Sequence, residues 1–195
     1  LEVLETWTEF CGQNSSTGSR NGIIKHLNSQ GNFSIKLGNQ TNLNLENSFA
    51  IEENKSLEIE GNGEAILSFG DNLTIGGTLS LKNETRLSGG LLNFDGGLLE
   101  VEEDSSIDSE INFFQSSIKV LENTELKLDN TTFSLNQSSF EIESGASIKF
   151  DNSTVKWQGQ LSKFGEGNLI LDKVLISGNA SYSGSSEATI KNLQL

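Results

Sequence analysis

The feature that most restricts the fold of this chain is a unit of about 22 residues that is repeated along it. The stretch LKLDNTTFSL begins at Leu126, and IKFDNSTVKW begins 22 residues later at Ile148. Apolar residues occupy matching places in the two copies, as Leu128 does with Phe150. A fixed period of this length predicts a repeat architecture in which neighbouring units stack on one another.

Inside each unit the apolar residues are two positions apart. Ile118 and Val120 flank a lysine, for example, and turn-forming Asn, Asp, Gly, Ser and Thr separate such pairs. This spacing is typical of strands with one buried face, and three short strands per unit bury their apolar rows only by stacking. The sequence therefore predicts an all-β fold, a parallel β-helix (β-solenoid) of about seven or eight coils. A β-sandwich is the alternative, but it does not require a copied unit.

One apolar pair per unit serves to follow the repeat along the chain. Its steps are 22, 22, 47, 22 and 21 residues, and we interpret the step of 47 as containing one irregular copy. The pairs are Ile35/Leu37, Leu57/Ile59, Leu79/Leu81, Leu126/Leu128, Ile148/Phe150 and Leu169/Leu171. This alignment predicts that Lys36 lies beside Glu58 and that Lys119 lies beside Glu141, as opposite charges on neighbouring coils.

The repeat begins only after the first 31 residues. We expect residues 1–31 to form an N-terminal cap and loop, and residues 32–195 to form the solenoid. Cys11 is the only cysteine, so it is either a buried or spare thiol or a link to another chain. The chain contains no Met and no Pro, which suggests a processed product or a segment of a longer protein.

Asn-x-Ser/Thr triplets, the acceptor sequons for N-linked glycans, are unusually frequent. Ten occur, against roughly four expected from the composition, and in a secreted eukaryotic protein they lie on exposed loops. Six are glycosylation candidates: Asn14, Asn32, Asn54, Asn72, Asn136 and Asn179. The other four are interpreted as occupying one repeat position, where stacked side-chain amides can form an inward ladder instead. These are Asn39, Asn83, Asn130 and Asn152.

Residues with catalytic or metal-binding potential are few. Asp129, Asp151 and Asp172 align from unit to unit, which permits a Ca²⁺ site but is better explained by turn formation. His26 is the only histidine, and no motif of a nucleophilic enzyme accompanies it. We therefore expect no catalytic residues, no metal and no cofactor, and a protein that is not an enzyme.

The charge of the chain excludes further classes of function. The formal net charge is −14 at pH 7 and the pI is about 4.4, so phosphate backbones are repelled and nucleic-acid binding is not expected. No apolar run approaches the length of a membrane span, so we expect no membrane insertion.

The units SSIKVLENTELKLDNTTFSLNQ and SSFEIESGASIKFDNSTVKWQG resemble coils of parallel β-helix surface proteins. Autotransporter passenger domains and filamentous adhesins are such proteins, and the resemblance covers residues 32–195. It implies an extracellular or cell-surface protein with a structural or adhesive role, as a subunit or segment of a surface fibre. The alternative is a carbohydrate-binding or polysaccharide-cleaving β-helix, so glycans are a second class of partner.

The C-terminal residues continue the apolar alternation. Ile190, Leu193 and Leu195 are its last members, and an open edge of a stacked rod can recruit other chains. These three residues are the predicted assembly end, with self-assembly or binding of other surface proteins as its function.

Overall fold

The computed structural model describes residues 2–3, 7–10, 20–24, 28–29, 31–38, 41–61, 65–184 and 187–194. Within these ranges the regular elements are all strands. The strands are β1 (Glu2–Val3), β2 (Trp7–Phe10), β3 (Arg20–Ile24), β4 (Asn28–Ser29), β5 (Phe33–Leu37), β6 (Thr41–Leu45), β7 (Phe49–Ile51), β8 (Ser56–Glu60), β9 (Ile66–Phe69), β10 (Asn72–Ile75), β11 (Thr78–Lys82), β12 (Arg86–Asp95), β13 (Leu98–Val101), β14 (Ser105–Phe114), β15 (Ser117–Val120), β16 (Glu125–Asp129), β17 (Thr132–Ile142), β18 (Ser147–Asp151), β19 (Thr154–Phe164), β20 (Asn168–Leu171), β21 (Val174–Gly184), β22 (Ala188–Ile190) and β23 (Leu193–Gln194).

These strands form a parallel β-solenoid with a spacing of about 21 residues between coils. Each coil contributes one strand to each of three parallel faces. Face A contains β3, β6, β9, the start of β12, the start of β14, β16, β18, β20 and β22. Face B contains β7, β10, the ends of β12 and β14, the starts of β17, β19 and β21, and β23. Face C contains β2, β5, β8, β11, β13, β15 and the ends of β17, β19 and β21.

The three faces enclose one continuous apolar core. On face C, the inward residues Leu57, Leu79, Leu99, Ile118 and Phe140 lie in register from coil to coil and are fully buried. Outward residues alternate with them, as the period of two predicted. The predicted β-helix fold is therefore confirmed.

The coil length is less regular than the sequence predicted. Leu98 pairs with Ser117, an offset of 19 residues, whereas Lys36 pairs with Glu60, an offset of 24. The extra or missing residues are accommodated at the edges between faces, where glycines and polar residues adopt positive φ. The strands can therefore stay in register although the units differ in length.

The predicted alignment of the apolar pairs that were used to follow the repeat is wrong in one respect. Leu79 and Leu81 lie on β11 of face C, but Leu126 and Leu128 lie on β16 of face A. The predicted irregular copy is present, because Leu99 and Val101 form the next strand of face C after Leu79 and Leu81. The step of 47 residues therefore contains this further coil and, in addition, a change of face. The error arose because all three faces carry the same apolar pair spacing.

The predicted pairing of Lys36 with Glu58 is wrong, because this coil is two residues longer than the 22-residue period. Lys36 lies opposite Glu60 and forms an ion pair with it at 2.8 Å, while Glu58 pairs with Lys82 at 2.8 Å. The hydrogen bond from Lys82 to Glu58 raises the pKa of that lysine, against the opposing effect of burial.

The predicted register of Lys119 beside Glu141 is confirmed. The ammonium group of Lys119 nevertheless lies near Glu143, with Nζ 3.8 Å from Oε1. Such pairs are half-exposed, so their contribution to stability is small.

The segment that the sequence predicted as a cap contains strands that join the main sheet. β2 pairs with β5, and β3 pairs with β6, both in parallel. Its boundary at residue 31 stays a prediction. Cys11, Asn14, His26, Asn39 and Leu195 lie outside the described residues.

A column of hydroxyl groups lies inside the edge between faces A and B. The hydroxyl of Ser109 donates to the Gly89 carbonyl at 2.8 Å, and Thr131 donates to the carbonyl of Ser109. Ser153 accepts the backbone N–H of Thr131 at 3.1 Å, and its own hydroxyl lies 2.9 Å from the carbonyl oxygen of Leu128. These buried hydroxyls satisfy backbone groups where the chain turns, as buried polar groups require.

Ser153→Ala is expected to lower the free energy of unfolding by about 1–3 kcal/mol, because it leaves the buried N–H of Thr131 without an acceptor. Ser134→Ala is the matched control, since Ser134 faces outward on face B, and its effect should stay within about 0.5 kcal/mol. Urea unfolding followed by circular dichroism measures both. Equal effects of the two substitutions would contradict a role for the hydroxyl column.

Candidate functional site

The candidate site is a lateral groove of about 350 Å³ at the edge between faces C and A. Parallel stacking positions its walls, because equivalent residues of three successive coils lie beside one another. Its lining residues are Glu84, Thr85, Arg86, Asp104, Ser105, Ser106, Glu125 and Lys127. No catalytic or binding role was predicted for any of these residues from the sequence. The pattern that could have indicated the groove is the recurrence of Glu84, Asp104 and Glu125 at intervals of about one coil.

The basic side of the groove lies on face A. Arg86, Ser106 and Lys127 are in register on successive coils and face outward. Lys127 lies between two carboxylates, with Nζ 3.6 Å from Asp129 and 3.5 Å from Asp151. In the part of the chain that the structure describes, Arg86 forms no ion pair, so its guanidinium is available for a ligand in the groove.

The acidic side is held by backbone and side-chain contacts. The carboxylate of Asp104 accepts the backbone N–H of Glu125 at 2.7 Å. Glu125 in turn accepts a hydrogen bond from Lys149. This hydrogen bond, together with the negative charge of Glu125, raises the pKa of Lys149. Carboxylates alternating with cationic groups provide the hydrogen-bond acceptors and donors that a polyhydroxylated ligand requires.

The floor of the groove is rigid. Thr85 is fully buried, and its hydroxyl lies 2.6 Å from the carbonyl oxygen of Lys82 and accepts the N–H of Gly61 at 3.0 Å. Ser105 donates to the carbonyl of Glu103 at 2.9 Å. The polar groups above this floor are therefore held at fixed positions.

Lys163 is an ionisable residue in the core. It continues the inward column of face C after Phe140, and its side chain is fully buried. Its Nζ donates to the carbonyl of Gly165 at 3.3 Å. Burial lowers the pKa of Lys163 from its ordinary value of 10.5, because desolvation disfavours the charged form.

Lys163→Leu is expected to raise the free energy of unfolding near neutral pH by about 1–3 kcal/mol, since the column otherwise holds apolar side chains. The unfolded chain keeps this proton up to about pH 10.5, whereas the folded chain releases it at lower pH. Wild-type stability should therefore rise with pH across that window, relative to Lys163→Leu. The exposed Lys156→Leu is the control of equal charge, and a parallel pH dependence of all three proteins would refute this prediction. Denaturant unfolding at several pH values measures it.

The predicted column of aspartates on face A is present. Asp129 and Asp151 are in register, and Asp172 follows one coil later. The ammonium of Lys127 lies between the first two carboxylates, and Asn192 donates to Asp172 at 2.8 Å. Among the described residues no cluster of three or more potential ligands could hold a metal ion.

The sequon asparagines do not share one repeat position. Asn83 lies at the edge between faces C and A, whereas Asn130 and Asn152 lie at the edge between A and B. The latter two are exposed and adopt positive φ, so they are not an inward amide ladder. The hydroxyl column, formed in part by Thr131 and Ser153, lies there instead.

Among the six glycosylation candidates, Asn32, Asn54, Asn72 and Asn179 are exposed, and Asn136 is half-buried. Asn14 lies outside the described residues. Glycosylation at all of these positions stays a prediction.

The residues of the predicted assembly end are exposed where they are described. Ile190 is 37% exposed and Leu193 is 51% exposed. The structure adds Tyr182, which is 39% exposed, to this apolar surface. Its ring packs edge-on against Trp157, with centroids 6.5 Å apart, and burial of the phenol raises its pKa.

The described ranges contain no helix that is long and apolar enough to span a membrane. No family model, no curated protein and no solved structure matches this chain. Its class therefore rests on the geometry, which is that of a parallel β-solenoid with a repeated three-strand coil.

Proposed function

We propose that this protein is a structural or adhesive β-solenoid that acts outside the cell or at its surface, as a subunit or segment of a fibre. The observation that carries the proposal is the parallel pairing that continues between neighbouring coils on all three faces from β5 to β23. Each coil is fixed to the next by main-chain hydrogen bonds and by a shared core, so the molecule is suited to act as a stiff spacer. In this proposal it has no catalytic role.

Other copies of this chain, or other surface proteins, are the proposed partners. β22 and β23 each pair on one side only with a described strand. A further strand can add to such an edge through main-chain hydrogen bonds, and the exposed Ile190 and Leu193 would then be covered.

Light scattering after size-exclusion chromatography, with negative-stain microscopy of the same fraction, tests self-assembly. We expect oligomers joined end to end, and we expect Leu193→Lys to reduce their size. Lys156→Glu, on the lateral face B, is the control that should leave assembly unchanged. A monomeric rod at all concentrations would contradict self-assembly.

Adhesion is tested by binding of the purified chain to immobilised cell-surface material. A chain that neither assembles nor adheres would contradict the structural role.

A second candidate function is carbohydrate binding, favoured by the groove between faces C and A. Its fixed carboxylates and the available Arg86 suit hydrogen bonding to sugar hydroxyls. Screening on a glycan array, followed by calorimetry of wild type and Arg86→Ala, tests it. We expect Arg86→Ala to weaken a groove-bound glycan about tenfold or more, whereas unchanged affinity would place the ligand elsewhere.

A further inference from the structure

The sequons are distributed unevenly over the three faces of the solenoid. Asn72 and Asn136 lie on strands of face B. Asn130 and Asn152 lie on the edge by which the chain enters face B from face A. Asn32, Asn54 and Asn179 lie on the edge between faces B and C. Of the sequons in the described ranges only Asn83 lies elsewhere, and no described strand of face A carries one.

The sequon at Asn72 is the one that local structure explains least. Asn72 and Thr74 flank the fully buried Leu73, and both side chains are exposed on face B. Neither residue has a positive φ, so a turn does not require asparagine there. An outward strand position accepts many polar residues, so the fold does not require this pair.

Asn83 differs from the others in its contacts. Its side chain is half-buried, and its amide Nδ2 donates to a carboxylate oxygen of Glu60 at 2.7 Å. This nitrogen is the atom that would carry a glycan. In Asn32, by contrast, the side-chain oxygen accepts the backbone N–H of Ser56 at 3.0 Å. The side-chain nitrogen of Asn32 takes no part in this hydrogen bond.

The ion pairs are distributed in the opposite sense. Face B carries a column of small, uncharged polar residues, namely Thr74, Asn93, Asn112 and Ser134, which ends at the exposed Lys156. The ion pairs of the described residues lie on faces A and C, as those of Lys127 and Lys82 do. A glycan layer on face B would therefore leave these ion pairs uncovered.

We infer that N-linked glycans cover face B and its two edges and leave faces A and C bare. The inference rests on the proposed extracellular location. In the modification, Asn Nδ2 forms a bond to the anomeric carbon of an oligosaccharide held on a lipid pyrophosphate. The bond between this carbon and the donor phosphate breaks, the amide nitrogen loses one proton, and the lipid pyrophosphate leaves.

Site-by-site mapping of the protein secreted from eukaryotic cells tests the inference. Enzymatic release of glycans in ¹⁸O-labelled water marks each occupied asparagine by mass. We expect occupancy at Asn72, Asn130 and Asn152 to exceed that at Asn83 by about fivefold or more. Thr74→Ala should remove the glycan from Asn72, whereas Thr74→Ser should retain it, and neither exposed substitution alters the core.

Occupancy of Asn83 equal to that of the face B sites, or a secreted protein without glycans, would overturn the inference. A secreted protein that carries no glycans but still forms rods or adheres would overturn this inference and leave the structural role standing. A protein glycosylated on face B that neither assembles nor adheres would overturn only the structural role.

Discussion

Replacing Phe133 by alanine is expected to lower the free energy of unfolding by about 3–5 kcal/mol. Phe133 is fully buried, and its ring centroid lies 5.3 Å from those of Phe113 and Phe150 and 6.2 Å from that of Phe140. These rings come from three successive coils. The cavity left by the substitution would therefore loosen contacts with the coils on both sides. The substituted coil cannot close this cavity without disturbing the register of its neighbours.

Phe164→Ala is the matched control, because Phe164 is 53% exposed on face C. Its effect should stay within about 0.5 kcal/mol. Denaturant titration followed by circular dichroism measures both variants. A loss below about 1 kcal/mol for Phe133→Ala would contradict close packing of the aromatic core.

Gly97→Ala is expected to lower the free energy of unfolding by about 3 kcal/mol. A methyl group at Gly97 would lie 2.4 Å from the carbonyl oxygen of Ile75 and 3.0 Å from that of Gly77, both in the preceding coil. These are backbone atoms held by the parallel ladders, so they cannot move aside without lengthening hydrogen bonds. Thermal unfolding measures the loss.

The adjacent Gly96 provides the control. It has a φ of +74° but nothing lies within 4 Å of an added methyl group. Asparagine tolerates this conformation better than other side chains do, so Gly96→Asn should lower the free energy of unfolding by about 1 kcal/mol. If Gly97→Ala lowered the free energy of unfolding no more than Gly96→Asn does, the close approach of neighbouring coils at Gly97 would not be what restricts this position to glycine.

The repeat and the alternation of apolar residues were sufficient to predict the solenoid. The copies that begin at Leu126 and Ile148 are separated by the true offset of β16 and β18, so their register could be predicted correctly. The pairing of Lys36 could not, because the coil between Lys36 and Glu60 is two residues longer than the 22-residue period. Edge length is set by local turn geometry, which the apolar pattern does not encode.

The groove and the buried lysine were missed for different reasons. The groove combines Glu84, Asp104 and Glu125 from three coils, and their proximity depends on offsets that vary along the chain. Lys163 follows the in-out-in pattern after Leu161, but a charged residue is normally assigned to the outside. The hydroxyl column could not be predicted because Thr131 and Ser153 stand in polar turn segments, where side chains normally face solvent, yet both are buried.

The variable edges give the molecule a property beyond stability. Since coils of 19 to 27 residues stack in register, an added or deleted coil need not match its neighbours in length to fit between them. Each coil adds about 4.8 Å along the axis. Gene segments that encode whole coils could thus be duplicated or lost without altering the cross-section, and the chain would act as a ruler whose length changes in fixed steps.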